Sequence, residues 1–185
     1  ANITGAAVFK KGKMVGLIDP KLTRGVLWIR NELSGAVVTI APKDEKGYIS
    51  MQLLRARSKL IPKIENGQWK ITLEAETIDD IVQNDTQLDM IDPKTISKLE
   101  VELEEAIEQR VKDATEVAQK ELDADFLGFA SAFHRAYPRI WEENKDRWDE
   151  IFPNVEVTVK AAAKIKRPGM TNGSSVFPSQ EVESK

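Results

Sequence analysis

The chain offers little of what a reactive centre needs. It has one histidine, His134, and no cysteine. A chain without cysteine has no thiolate nucleophile, no disulfide and no thiolate metal site, and a single histidine excludes a paired-histidine metal site. None of H-E-x-x-H, G-x-S-x-G, the P-loop pattern or G-x-G-x-x-G occurs in it. His134 lies beside the aromatic face of a helical stretch, which reads as a packed or capping side chain and not a general base. Carboxylates are abundant, but they fall on polar helix faces, and no pair stands out as an acid and base for hydrolysis. On these grounds no catalytic, cofactor-binding or metal-binding residue is assigned, no cofactor is expected, and the ligand-binding residues, if any, are unknown.

Three charged features look functional at first sight. Arg55, Arg57 and Lys59 form a basic strip that could meet an anion. Asn66-Gly67, however, is the strongest short hairpin signal in the chain. With those two residues at the turn centre, Ile64 opposes Trp69, Leu60 opposes Leu73, Lys59 opposes Glu74 and Arg57 opposes Glu76. Apolar pairs then share one face and opposite charges the other, so Arg57 and Lys59 are expected to form cross-strand ion pairs on a wet face. Pro62 in the same strand points to an edge or a bulge. Residues 79–92, with five aspartates, lack the D-x-D-x-D-G spacing and closing glutamate of a calcium loop and read as a solvated connection. Arg110 falls inside the apolar stripe of a long helix. A guanidinium there must reach a carboxylate or water, and a structural ion pair is the expectation.

The elements that position these residues follow from periodicity. Residues 4–18 read as a hairpin turning at Lys11-Gly12. Ile18-Asp19-Pro20-Lys21 and Ile91-Asp92-Pro93-Lys94 each combine a capping aspartate with a first-turn proline, two independent uses of one helix start. The first opens a helix over 20–33, ended by Gly35, and a short strand at 36–41 follows. The second opens a helix over 93–122 whose stripe includes Ile96, Leu99, Leu103, Ile107 and Val117. At about 1.5 Å per residue it is roughly 45 Å long, so part of it is expected to project toward another domain or subunit. A helix over 125–136 is apolar or small nearly all round and should be central, with Gly128 in its middle allowing another backbone to approach. From Pro138 to Phe152 the side chains of Trp141, Trp148 and Phe152 lie within about 40° of one another, a stripe that needs a covering surface. Val155, Val157, Val159, Ala161, Ala163 and Ile165 then alternate with polar residues over a strand at 154–166, whose small residues invite a large element to press on them. The expected fold is α+β: a mostly antiparallel sheet of five or six strands, containing the 48–61/69–78 hairpin, with several helices, one of them long, packed mainly on one face. A domain over 1–168 and a tail over 169–185 are expected.

At 185 residues, with 41% hydrophobic and 31% charged side chains, the chain can bury one real core. A net charge of −3 supplies no electrostatic reason to expect nucleic acid. No window approaches the roughly 18–20 apolar residues of a membrane-spanning helix. The chain starts at an alanine, as a processed product or a cut fragment would.

The order of certain residues resembles the C-terminal region of the GerAC family, the C subunits of the nutrient germinant receptors of bacterial spores. They are Ala124-Asp125, Leu127-Gly128-Phe129, Arg135 with Tyr137-Pro138, Trp141 and Trp148, Phe152-Pro153, the valine strand, and Arg167-Pro168-Gly169. Gly5-Ala6-Ala7-Val8-Phe9 with its Lys-rich turn, Thr23-Arg24-Gly25 and Leu27-Trp28 match in the N-terminal part, so the resemblance covers about residues 3–170. Ala130 stands where a second glycine is expected, and Pro168 separates Arg167 from Gly169. The resemblance implies a non-enzymatic domain of a lipid-anchored receptor subunit at the outer face of the spore inner membrane. It implies assembly with two integral-membrane subunits, A and B, and nutrient-triggered germination as the role. It also implies anchoring through an N-terminal cysteine that this chain lacks, which would make the chain a C-terminal fragment. The alternative is direct binding of a small nutrient between the sheet and the aromatic helix, favoured by a polar internal pocket near Phe126, Arg135 and Trp148. A third, weaker reading is an extracytoplasmic hydrolase.

Overall fold

Asn66 and Gly67 take positive φ angles of 50° and 77° and turn two 17-residue strands, β4 (Ile49–Glu65) and β5 (Gln68–Asn84), into one long hairpin. This computed structural model describes residues 5–166; the expected tail and the Arg167-Pro168-Gly169 motif lie outside the described residues. The register is the one expected, with Ile64 opposite Trp69, Leu60 opposite Leu73, Lys59 opposite Glu74 and Arg57 opposite Glu76. Beyond Arg55 the pairing shifts at two bulges, between Leu53 and Arg55 and between Ser50 and Met51. The strands continue well past the expected end at residue 78. Residues 79–84 are therefore strand and not the expected loop.

The main sheet has the order β3-β4-β5-β6, with β3 at Val37–Ile40 and β6 at Glu156–Lys166. β3 and β5 run antiparallel to β4, while β6 runs parallel to β5. A separate two-stranded sheet holds β1 (Ala6–Lys10) and β2 (Lys13–Ile18). The six strands are thus divided four and two and do not form one sheet, because the β1–β2 hairpin leans on the end of the long helix, where Gly16 meets Leu122. Lysines in its turn region tie it down further, Lys10 to Asp123 at 2.8 Å and Lys11 to Asp149 at 2.6 Å.

Both expected helix starts are present. Asp19 accepts the Leu22 N–H at 2.7 Å at the head of α1 (Pro20–Ile29), and Asp92 accepts those of Lys94 and Thr95 at 3.1 and 3.3 Å at the head of α2 (Pro93–Glu116). α1 stops at Ile29 and does not run to residue 33, because Asn31 already takes a left-handed conformation, with φ at 56°, four residues before Gly35. α2 ends in a wide π-type turn over Val117–Glu121. Its buried residues run from Ile96 through Val111 to Ala118, so no part projects as expected. Strands of this length span about 55 Å at about 3.3 Å per residue, enough to cover the whole helix.

Each outer edge of the main sheet is met in part by groups the alternation pattern could not identify. α2 lies along β6, where the Glu104 and Glu100 carboxylates accept the N–H groups of Ala163 and Ile165, each at 3.0 Å. This is the large element that the alanines of β6 anticipate. On the other side β3 covers only residues 49–52 of β4. Farther along, the Ser58 N–H turns outward to Asn31 Oδ1 at 2.7 Å. Pro62, four residues on, shares that orientation, so its missing N–H falls on a free edge where no bond is lost.

α1 and α2 cross in close contact at Gly25. A Cβ there would lie 2.5 Å from the Arg110 carbonyl oxygen and 2.9 Å from the Ala114 Cβ, so only glycine permits the crossing.

Candidate functional site

The residues singled out between 124 and 153 gather into one place. Tyr137, held before Pro138 with φ at −134°, separates α3 (Phe129–Ala136) from α4 (Pro138–Asn144). The expected continuous helix over 138–152 is broken into α4, a 3₁₀ turn at Lys145–Arg147, α5 (Trp148–Ile151) and a 3₁₀ turn at Phe152–Asn154. Asn144 accounts for the first break: its side chain donates to the Ile140 carbonyl at 2.8 Å and competes with the backbone ladder. Trp141 and Trp148 still share a face, with ring centroids 5.2 Å apart.

Trp148 sits at the centre of this group. Its ring lies 5.8 Å from Phe133 and 5.9 Å from both Trp69 and Phe152. The indole N–H donates to Asp125 Oδ2 at 3.2 Å, and the same carboxylate accepts the backbone N–H groups of Gly128, Phe129 and Ala130 at 3.0, 3.1 and 2.6 Å. Asp125 therefore caps α3 and fixes the tryptophan in one stroke. Residues 125–128 are this capping loop and not the first turn of a helix. Gly128 is the N-cap, with φ at 88° and nothing within 4 Å of where a Cβ would stand. The reason for a glycine here is its left-handed backbone, not the close approach anticipated. His134 is exposed and stacks on Trp141 at 5.9 Å.

The concavities lie at the surface. A groove of about 550 Å³ runs along the free edge of β4, with Arg30, Lys59, Ser131 and Arg135 on its walls. Another, of about 410 Å³, lies beside Trp69, Arg147 and Glu150. Arg135 lines the first, but Phe126 and Trp148 do not, and neither groove gathers the three residues. The expected ion pairs of the basic strip are also not made. Arg57 and Lys59 oppose Glu76 and Glu74 in register, yet no contact within 4 Å joins them among the described residues. Opposed side chains on a twisted, solvated face have no neighbour holding them together.

Sequence reasoning missed one buried charge altogether. Asp79, assigned to the loop, is 1% exposed on the inner face of β5, between Leu53 of β4 and Ile165 of β6. Neither carboxylate oxygen has a hydrogen-bond partner. The run Ile71, Leu73, Ala75, Thr77, Asp79 continues the buried alternation, and that parity was the available signal. Burial pushes the Asp79 carboxyl above its ordinary range. A raised folded pKa makes the group's contribution most favourable below the unfolded value, about 3.9, and increasingly unfavourable as pH rises toward the folded value. Asp79→Asn should therefore stabilise the fold at pH 7 by about 1–3 kcal/mol, with the gain disappearing below about pH 4. Urea melts of both proteins across that range check it, and a pH-independent difference contradicts it.

Residues 4–169 match the family described as spore germination B3/GerAC like, C-terminal. In Bacillus subtilis (strain 168), spore germination protein KC is 31% identical over 172 residues, which is 91% of this chain and 42% of that protein. Spore germination protein YndF of the same organism is 27% identical over 168 residues, 90% of this chain and 42% of that protein. The chain thus spans less than half the length of these curated relatives. The crystal structure of the GerBC protein superposes with a TM-score of 0.79 at 24% identity, covering 88% of this chain and 51% of that one, and shows the same α+β fold. The match extends over nearly the whole chain and takes in Asp125, Trp148 and the strand they support, and by it this chain belongs to the GerAC-like C-terminal family of spore germination proteins.

Proposed function

We propose that this chain is a non-enzymatic domain of a lipid-anchored germinant-receptor C subunit, acting in nutrient-triggered germination by assembling with two integral-membrane subunits at the spore inner membrane. The observation that carries this reading is where the motif residues spend their polar atoms and rings. Asp125 commits its carboxylate to three backbone N–H groups and an indole, and Trp148 and Phe152 fill a packed aromatic group. Residues used in this way make a rigid body with shaped surfaces, which is what assembly requires. No helix among the described residues is long and apolar enough to cross a membrane, and in this reading the membrane is reached through the lipid anchor of the longer protein and through its partners. A second reading, direct nutrient binding, is favoured by the groove of about 550 Å³ that Arg135 lines.

Deleting the gene in its spore-forming host should leave spores that no longer answer one nutrient, and restoring it should recover the response. The protein should also co-purify with the two membrane subunits from wild-type spores. Unchanged germination with every nutrient tested, in a strain lacking related genes, would overturn the assignment. Nutrient titration of the isolated chain followed by tryptophan fluorescence separates the two readings, since only direct binding gives a saturable change.

A further inference from the structure

The β1–β2 hairpin presents an apolar face that nothing among the described residues covers. Across its strands Ala7 pairs with Leu17 and Phe9 with Met14, and Val15 is left over at the bulge between them. Successive residues of a strand face opposite ways, so these side chains share one side of the hairpin. Leu17, Phe9 and Met14 are 73%, 63% and 58% exposed. The opposite side holds Val8 and Ile18, both buried, and Gly16 against Leu122. A wet sheet face is ordinarily polar, and the chain follows that rule on β6, where Glu156, Thr158, Lys160 and Lys164 are exposed. None of the residues on the outer face of the hairpin is charged. That face is also held in place. Lys10 reaches Asp123 at 2.8 Å and Asp149 at 3.2 Å, and Lys11 reaches Asp149 at 2.6 Å, which pins the turn to the body of the domain. β1 and β2 pair only with each other, so both outer edges keep unpaired backbone groups.

We propose that this face is the docking surface for the part of the longer protein that precedes this domain, an apolar strand or loop of which lies over Phe9, Met14 and Leu17. Contiguous exposed apolar area marks a contact, and a two-stranded sheet with open edges also accepts a third strand. The occupant follows from where the hairpin lies along the chain. The matched region is less than half of each curated relative and is described as C-terminal, so in those proteins most of the remaining chain comes before it. β1 begins at Ala6 and is the element nearest to that preceding chain. A segment tethered so close is present at an effective concentration on the order of millimolar, which a second copy in dilute solution does not reach. An anionic membrane is a poorer match, since Asp123 and Asp149 offset the charge of Lys10 and Lys11. The proposal rests on the reading of this chain as one domain of a longer receptor subunit, and it adds the surface by which that domain joins the rest.

The test is hydroxyl-radical labelling of Phe9, Met14 and Leu17, read by mass spectrometry, in this chain and in the full-length subunit. All three should be labelled readily in this chain and about tenfold more slowly in the full-length protein, as a face covered most of the time would be. Phe9→Ser combined with Leu17→Ser should leave the melting temperature of this chain within about 2 °C, because both side chains are exposed in it. The same pair should restore rapid labelling of Met14 in the full-length protein. Equal labelling of the two wild-type proteins overturns the proposal. So does protection in this chain alone that grows with its concentration, which assigns the face to a second copy. Protection that appears only with phosphatidylglycerol vesicles assigns the face to lipid and overturns it too. A germination defect without protection keeps the receptor reading and discards this surface, and protection without a germination defect does the reverse.

Discussion

Trp148→Ala is expected to remove about 3–5 kcal/mol of folding stability, a large share of what a domain of this size possesses. The tryptophan touches four other rings, those of Trp69, Phe133, Trp141 and Phe152, which come from β5, α3, α4 and the turn before β6. Removing it leaves a void that these elements cannot close without separating from the sheet. It also strips Asp125 of one of its four donors. Trp148→Phe keeps a ring in place and loses the indole N–H, so it should cost about 1 kcal/mol or somewhat more. Urea denaturation measures both, as a fall in midpoint at constant slope. A loss below about 1 kcal/mol for the alanine variant would contradict the central place given to this side chain. Because the aromatic group joins α3–α5 to the sheet, the same variant should weaken whatever surface those helices present to a neighbouring subunit.

Gln119→Leu should destabilise by about 3 kcal/mol although its shape is nearly conserved. Gln119 is buried in the π-type turn after α2, and its Nε2 donates to the carbonyls of Phe152 at 2.8 Å and Val155 at 2.9 Å. Leucine fills the space and supplies no N–H, leaving two carbonyls short of a donor away from water. The wide turn is what aims this side chain at the chain segment entering β6, so its loss frees the start of that strand. Amide hydrogen exchange should show faster exchange at residues 155–159 than at 163–165, where Glu104 and Glu100 still hold the edge. Uniform acceleration along β6 would mean that Gln119 acts on global stability alone.

Much of this architecture was legible from spacing. Asn66-Gly67 set the register of the long hairpin, and two Asp-Pro pairs marked the starts of α1 and α2, because turn and cap chemistry depend on residues a few positions apart. The Trp141/Trp148 spacing predicted one face, and it survives even though the helix between them breaks. Where the reading failed, a distant partner had intervened. Asp79 and its neighbours resemble a loop by composition, but β4 on one side and β6 on the other draw them into the sheet. Gly128 looked like a mid-helix residue because the claim of Asp125 on three successive N–H groups cannot be read from periodicity.

The aromatic group, whose members run from Trp69 to Phe152, was visible only in part, since Trp69 arrives from a hairpin far earlier in the chain. Arg110 marks the boundary most clearly. Its place in an apolar stripe follows from helical geometry and was evident in the linear order of residues. Its expected ion pair depended on which side chains converge there, and packing brought no carboxylate within 4 Å among the described residues, leaving Nη1 buried without a hydrogen-bond partner. Short-range stereochemistry is written into neighbouring residues, whereas charge compensation, strand order and edge closure arise only when remote segments compete for the same space.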